Sequence, residues 1–170
     1  MKKHFSLWAV MVITTMCAMA RPEVYGWLEY IYTGSADYRL NAKLDSGAKT
    51  SSLDARSIKS YKNKSGEEMV RFKVKGKRHD GKRWVEKQVV FRKPVHRKVK
   101  VKSSNGISEE RLSVIMPITI GKKTVQTEFT LSSRSGMNYP VLLGRKTISK
   151  IGLIDCSKTF IASKSVQNRG

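Results

Sequence analysis

A mainly β domain with one short helix near its C-terminal end is the fold class that this sequence predicts. From Tyr25 onward apolar and polar residues alternate with period two, and Gly, Asn and Asp turns break the alternation, the pattern of half-buried strands. The exception is Arg145 to about Lys150, after Gly144, where a short helix is expected. No internal repeat, glycine-rich linker or change of composition divides the region, so one domain is expected.

The N-terminus reads as a targeting segment. Lys2 and Lys3 form a positive start, Phe5 to Ile13 an apolar stretch, and Ala18-Met19-Ala20 a small-residue cleavage signal before Arg21. Residues 1–20 are therefore expected to be a signal peptide, residues 21–162 the exported domain, and residues 163–170 a loose tail. A periplasmic location follows. The stretch from Phe5 to Ala20 is interrupted by Ser6, Thr14 and Thr15 and is shorter than the roughly 20 apolar residues of a spanning helix, which ranks an uncleaved anchor second. Lipidation at Cys17 ranks lower still, because Thr14-Thr15-Met16 matches the lipoprotein pattern poorly.

Without the leader, Cys156 is the only cysteine, so packing and not a disulfide within the chain must hold the fold. In Leu153-Ile154-Asp155-Cys156 it reads as a small buried hydrophobe rather than a nucleophile. The formal net charge is +21, two units of which belong to Lys2 and Lys3. Such a field attracts polyanions, anionic surfaces and acidic ligands but specifies no chemistry.

The strands follow in order. Leu40, Ala42 and Leu44 alternate with Arg39, Asn41 and Lys43, giving a strand that runs directly into Asp45. Val70, Phe72 and Val74 mark the next, and after His79-Asp80-Gly81 the chain returns from Trp84 to Phe91 as a long hairpin. Val95, Val99 and Val101 continue the scheme. In Lys98-Val99-Lys100-Val101-Lys102 the lysines take one face, a solvated stripe or a contact for a polyanion. Ser103-Ser104-Asn105-Gly106 is a turn. Leu112, Val114, Met116, Ile118 and Ile120 alternate up to Gly121, and Val125, Thr127, Phe129 and Leu131 return antiparallel. Tyr139-Pro140-Val141-Leu142-Leu143 is a short core strand ending at Gly144.

Asp45-Ser46-Gly47-Ala48 puts a carboxylate where a rigid strand enters a tight turn, although Asp-Ser-Gly alone is also an ordinary turn sequence. The second element is Pro140-Val141-Leu142-Leu143-Gly144-Arg145 followed by Ile151-Gly152-Leu153, which resembles the C-terminal signature of retroviral proteases. A fuller resemblance runs through Gly26-Trp27-Leu28-Glu29-Tyr30, then Ala42 to Leu53, Lys102 to Gly106 with Glu110-Arg111, and Leu142 to Arg145. These segments are similar to the bacterial family labelled ATP-dependent zinc proteases, regarded as retropepsin-like and often associated with ATP-grasp glutamate ligases. The chain departs from that pattern at Ser46, where the family commonly has Thr, and at Asp54, where many members have His.

The resemblance implies a retropepsin-like closed β-barrel and an aspartic endopeptidase. Asp45 would be the acid or base, Ser46 would brace the loop through its hydroxyl, Gly47 would let backbone and substrate approach closely, and Ala48 would keep the turn small. Leu142, Leu143 and Gly144 would pack beneath the loop, with Arg145 holding a carboxylate in a structural pair. Such chemistry needs two carboxylates about 3 Å apart sharing one proton. The motif occurs once, so a homodimer pairing Asp45 with its twin is expected. A substrate flap could be the hairpin near His79 to Lys82 or the one near Ser103 to Ser108. The resemblance concentrates on the second, with Asn105, Gly106, Glu110 and Arg111 as candidate substrate contacts.

Neither zinc nor ATP is expected as a cofactor. Beyond the leader, His79, His96 and Cys156 stand in no ligand spacing, and no Gly-rich phosphate loop with Lys is present. The expected partners are a peptide or protein substrate, of acidic character given the basic surface, and a second copy of the chain. A rival reading keeps the fold without catalysis and lets the cationic face dock on anionic envelope polymers or acidic peptides. Nucleic acid is not expected, since export denies access and Trp27, Tyr30 and Trp84 read as core or sheet residues.

Overall fold

The computed structural model describes residues 22–102, 108–133 and 138–162. The leader and the tail lie outside them, as do Asn105 and Gly106. Among the described residues eleven strands and one helix follow in order: β1 Val24–Thr33, β2 Ser35–Leu44, β3 Ser51–Asp54, β4 Arg56–Lys62, β5 Glu68–His79, β6 Trp84–Pro94, β7 Arg97–Lys102, β8 Ser108–Ile120, β9 Lys123–Ser132, β10 Val141–Leu143, α1 Arg145–Ile151 and β11 Leu153–Thr159. The mainly β expectation with one short helix holds.

Six of the strands close a ring. β1 pairs antiparallel with β2 and, through Tyr32 opposite Thr119, with β8; β8 pairs with β9, β9 with β3, β3 with β10, and β10 with β2. The β3–β9 and β10–β2 pairings are parallel and join segments far apart in sequence. Gly34 and Gly121, at φ of 77° and 54°, make the reversals from β1 to β2 and from β8 to β9 in a conformation that glycine adopts without strain. β11 lies parallel beside the start of β1.

The alternation fixes which side faces the core. Leu40, Ala42 and Leu44 of β2 are buried, as are Val114, Met116, Ile118 and Ile120 of β8 and Phe129 and Leu131 of β9. Each of these side chains larger than Ala42 contributes about 1.5–3 kcal/mol through removal from water. β5 leaves the ring at β2, where Tyr38 pairs with Arg78 and Arg39 with Lys77, and carries β4 and β6 on its two edges. Val70, Phe72 and Val74 of this three-stranded lobe pack into the common core, with Phe72 stacked on Phe91 at 5.6 Å. Tyr38 ties lobe to ring by donating its hydroxyl to the Val74 carbonyl at 2.8 Å, and burial pushes its phenol pKa up despite the nearby Arg78 cation.

Several expectations need correcting. Val95 lies in the link between β6 and β7, donating its N–H to the Glu68 carbonyl at 2.8 Å, not in a strand. Tyr139 and Pro140 precede β10 and do not belong to it. Cys156 is exposed, because β11 is an edge strand with solvent on one side. Trp27, Tyr30 and Trp84 lie on strands but are only half-buried. Lys98 and Lys100 point to solvent while Val99 and Val101 are half-covered, as the alternation in β7 requires.

Candidate active site

Arg39, Asn41 and Lys43 occupy the face of β2 away from its buried leucines, and Asp45, one residue past the strand, continues that series. The strand stops there because the Asp45 N–H is taken by the Leu143 carbonyl of β10 at 2.8 Å and the chain then turns, with the Ala48 N–H donating to the Asp45 carbonyl at 3.2 Å. Within the turn the Gly47 N–H donates to Asp45 Oδ1 at 3.0 Å, which orients the carboxylate. Asp45 is half-buried, and Ser46 and Gly47 are exposed.

The loop is clamped from the other end of the chain. Arg145 N–H donates to the Ala48 carbonyl at 2.9 Å and Lys146 N–H to the Lys49 carbonyl at 3.2 Å, so the first turn of α1 spends otherwise unpaired donors on the aspartate loop. The Arg145 side chain donates through Nη1 to the carbonyls of Ser46 at 2.7 Å and Gly47 at 3.0 Å. This corrects the expected carboxylate partner. The guanidinium binds main-chain oxygens, which suits its fork of donors and fixes the backbone instead of neutralising a charge. The contact of Ser46 with Arg145 likewise runs through its carbonyl.

Gly144 is required by proximity. A Cβ there would lie 2.6 Å from the carbonyl carbon and oxygen of Thr50. Its N–H donates to Ser51 Oγ at 3.1 Å, Ser51 Oγ also meets Thr147 Oγ1 at 2.9 Å, and Thr130 Oγ1 donates to the Ser51 carbonyl at 3.2 Å. This buried hydroxyl network under the loop was missed by sequence reasoning. The run Thr50-Ser51-Ser52 directly after the motif was the available signal, since buried hydroxyls need partners. Leu143 is buried against the loop and Leu142 half-buried, each in register with β2 (Leu143 with Leu44, Leu142 with Lys43).

The structure does not bring every candidate together. Glu110 and Arg111 lie on β8 opposite Lys100 and Val99 of β7, beyond the part of β8 that pairs with β9, and Arg111 is engaged with Glu109 at 2.7 Å. Asp54, buried at the end of β3, lies 3.8 Å from Arg56. Among the described residues no three of His, Cys, Asp and Glu converge as a metal site would require.

Comparison with known proteins agrees with this geometry. The chain is 39% identical over 116 residues to a "Probable alpha-L-glutamate ligase" of Desulfotalea psychrophila, covering 68% of this chain and 24% of the relative. It is 37% identical over 124 residues to a protein of the same name from Shewanella pealeana, covering 71% and 25%. The chain thus spans about a quarter of the length of these relatives. A crystal structure of a Legionella pneumophila protein of unknown function (DUF785) superposes with a TM-score of 0.66 at 31% identity, covering 82% of this chain and 97% of that one. The family model described as retropepsin-like aspartic endopeptidase RimB matches residues 24–165. With its aspartate loop clamped between β2, β10 and α1, the chain belongs to the RimB-like family of retropepsin-like aspartic endopeptidases.

Proposed function

We propose that the protein is an aspartic endopeptidase whose active site forms between two copies of the chain, each supplying Asp45. The observation that carries this reading is the anchoring of Asp45. Its backbone is fixed from β10, its Oδ1 is held by the Gly47 N–H, and the following carbonyls are held by Arg145. A carboxylate on a rigid, main-chain-bonded loop suits general acid–base work, which depends on position before acidity.

The chemistry balances with water alone. One carboxylate takes a proton from water as the oxygen attacks the scissile carbonyl carbon, and its protonated twin donates a hydrogen bond to the carbonyl oxygen. The tetrahedral intermediate then collapses, the C–N bond breaks, and the amine nitrogen leaves with a proton from the pair. Two like charges at about 3 Å cannot both ionise, so the pair holds one proton between them. A two-fold axis supplies that arrangement from a single motif per chain.

An acidic peptide is the substrate class that the net charge of +21 favours, and the glutamate ligase names of the relatives point the same way. The Lys2 to Ala20 pattern supports export. The non-catalytic alternative, docking on anionic polymers, draws on the same charge but gives no reason for a carboxylate clamped in this way.

Dilution tests the shared site. Cleavage per unit of protein should fall once the concentration drops below the dimer dissociation constant measured by sedimentation, with the two curves sharing a midpoint. Specific activity that stays constant while the protein becomes monomeric excludes the shared site.

A further inference from the structure

We infer that the cavity between β2 and the β4–β5–β6 lobe is a carboxylate-binding subsite, in which Arg39 and Lys77 receive an acidic side chain of an extended peptide held at Asp45. The cavity measures about 330 Å³, and its lining includes Arg39, Asn41, Asp54, Arg56, Lys75 and Lys77. Two of its cations are already matched. Arg56 lies 3.8 Å from Asp54, and Lys75 lies 2.8 Å from Glu86, which also lines the cavity. Among the described residues no carboxylate pairs with Arg39, and Lys77 shares Glu86, its register partner across β5 and β6, with Lys75, so the four cations of the lining outnumber its two carboxylates.

These two charges sit directly opposite one another, since Arg39 and Lys77 are register partners across β2 and β5. Like charges facing each other on adjacent strands oppose folding, and the carboxylate of Glu86, already bonded to Lys75, offsets only part of that cost, so a bound anion would lower it further. Arg39 is also held rigid. Its guanidinium lies between the Tyr30 ring at 4.1 Å and the Trp84 ring at 4.0 Å, and no described residue accepts a hydrogen bond from its Nε. A planar cation fixed between two rings loses little freedom on taking a carboxylate, which is what a receptor for one needs.

The position ties the cavity to the proposed active site. Arg39, Asn41, Lys43 and Asp45 follow one face of β2, and the register puts Lys77 on that face too. At about 3.3 Å per residue, Asn41 and Arg39 lie about 13 and 20 Å along the strand from Asp45. A peptide extended over that face has a similar rise, so the recognised side chain lies roughly four to six positions from the cleaved bond. The same face continues across the lobe. Lys59, Arg71 and Arg92 form a row of three cations in register over β4, β5 and β6, and they keep the electrostatic field positive well beyond the cavity.

The inference deepens the peptidase reading and rests on it for the peptide's path, but its test reads binding without cleavage. Asp45→Asn protein is titrated into fluorescein-labelled peptides of eight glutamates or eight glutamines, with anisotropy as the readout. The glutamate peptide should bind and the glutamine peptide should not. Adding Lys77→Gln should weaken binding about tenfold, as the loss of one charge-assisted contact does, with the unfolding midpoint little changed, since the substitution relieves the repulsion with Arg39 and gives up the attraction to Glu86. Arg39→Lys, which keeps the charge but not the planar fork, should also weaken it. Lys98→Gln on β7 removes the same charge elsewhere and should leave binding within about twofold. Equal binding of the two peptides, or equal losses with Lys77→Gln and Lys98→Gln, would overturn the subsite. Binding with the expected pattern by a protein that cuts no peptide would keep the subsite and end the peptidase reading.

Discussion

Asp45→Asn is expected to lower peptide cleavage by about a thousandfold or more while leaving the fold intact, because a carboxamide is too weak an acid and too weak a base to exchange a proton with the reacting atoms. The substitution is close to isosteric, and the Asn Oδ1 can accept from the Gly47 N–H at the same 3.0 Å as the carboxylate. Neither Ser46 nor Gly47 is buried against the side chain, so no packing is lost. Cleavage of an acidic peptide followed by chromatography, together with the thermal unfolding midpoint of the same sample, gives both halves of the result. Wild-type turnover by the variant would remove Asp45 from the mechanism, whatever its effect on stability.

Gly144→Ala should damage both stability and activity. Its Cβ would meet Thr50 backbone atoms at 2.6 Å, and backbone cannot turn aside as a flexible side chain can. The surroundings have little freedom to yield, since Asp45 N–H is bonded to the Leu143 carbonyl and Arg145 N–H to the Ala48 carbonyl on either side of the clash. Relief therefore has to move the aspartate loop. Overpacking of this kind costs about 1–3 kcal/mol, and a displacement near 1 Å at a reacting group costs on the order of a hundredfold in rate. Chemical denaturation and the cleavage assay measure the two effects, and a variant that matches wild type in both would show that the contact between β10 and the loop is not needed.

The residues that alternate cleanly made their strands readable. Leu40, Ala42 and Leu44, or Val114 to Ile120, each bury one face, so period two identifies both the strand and its inward side. β3 gives no such signal because Ser51, Ser52, Leu53 and Asp54 are all buried, with the Ser51 hydroxyl meeting Thr147 Oγ1 from a distant part of the chain. β4 fails in the opposite sense, with all of its residues exposed on the outer edge of the lobe. The ring could not be read from pattern alone, since parallel pairings such as β3 with β9 join segments that no local rule connects.

The candidate site was legible in its residue types but not in its bonds. Asp45 at a strand end and Leu142 to Arg145 at a second one stood out, and the resemblance to known proteases joined them. That Arg145 would grip two carbonyls depends on the helix start lying over the loop, a tertiary fact. Basic character was likewise visible, yet the sequence drew attention to Lys98 to Lys102, whereas cross-strand register gathers Arg39 with Lys77 and Lys59 with Arg71 and Arg92. Charges distant along the chain become neighbours only once pairing is known.

Co-refolding wild-type protein with an equal amount of the Asp45→Asn variant measures most directly whether two copies share one catalytic pair. If each active centre needs both carboxylates, mixed dimers are inactive and about a quarter of the activity of the all-wild-type sample survives, falling with the square of the wild-type fraction. Retention of half the activity, in proportion to the wild-type chains present, would mean that a single Asp45 suffices and would contradict the account.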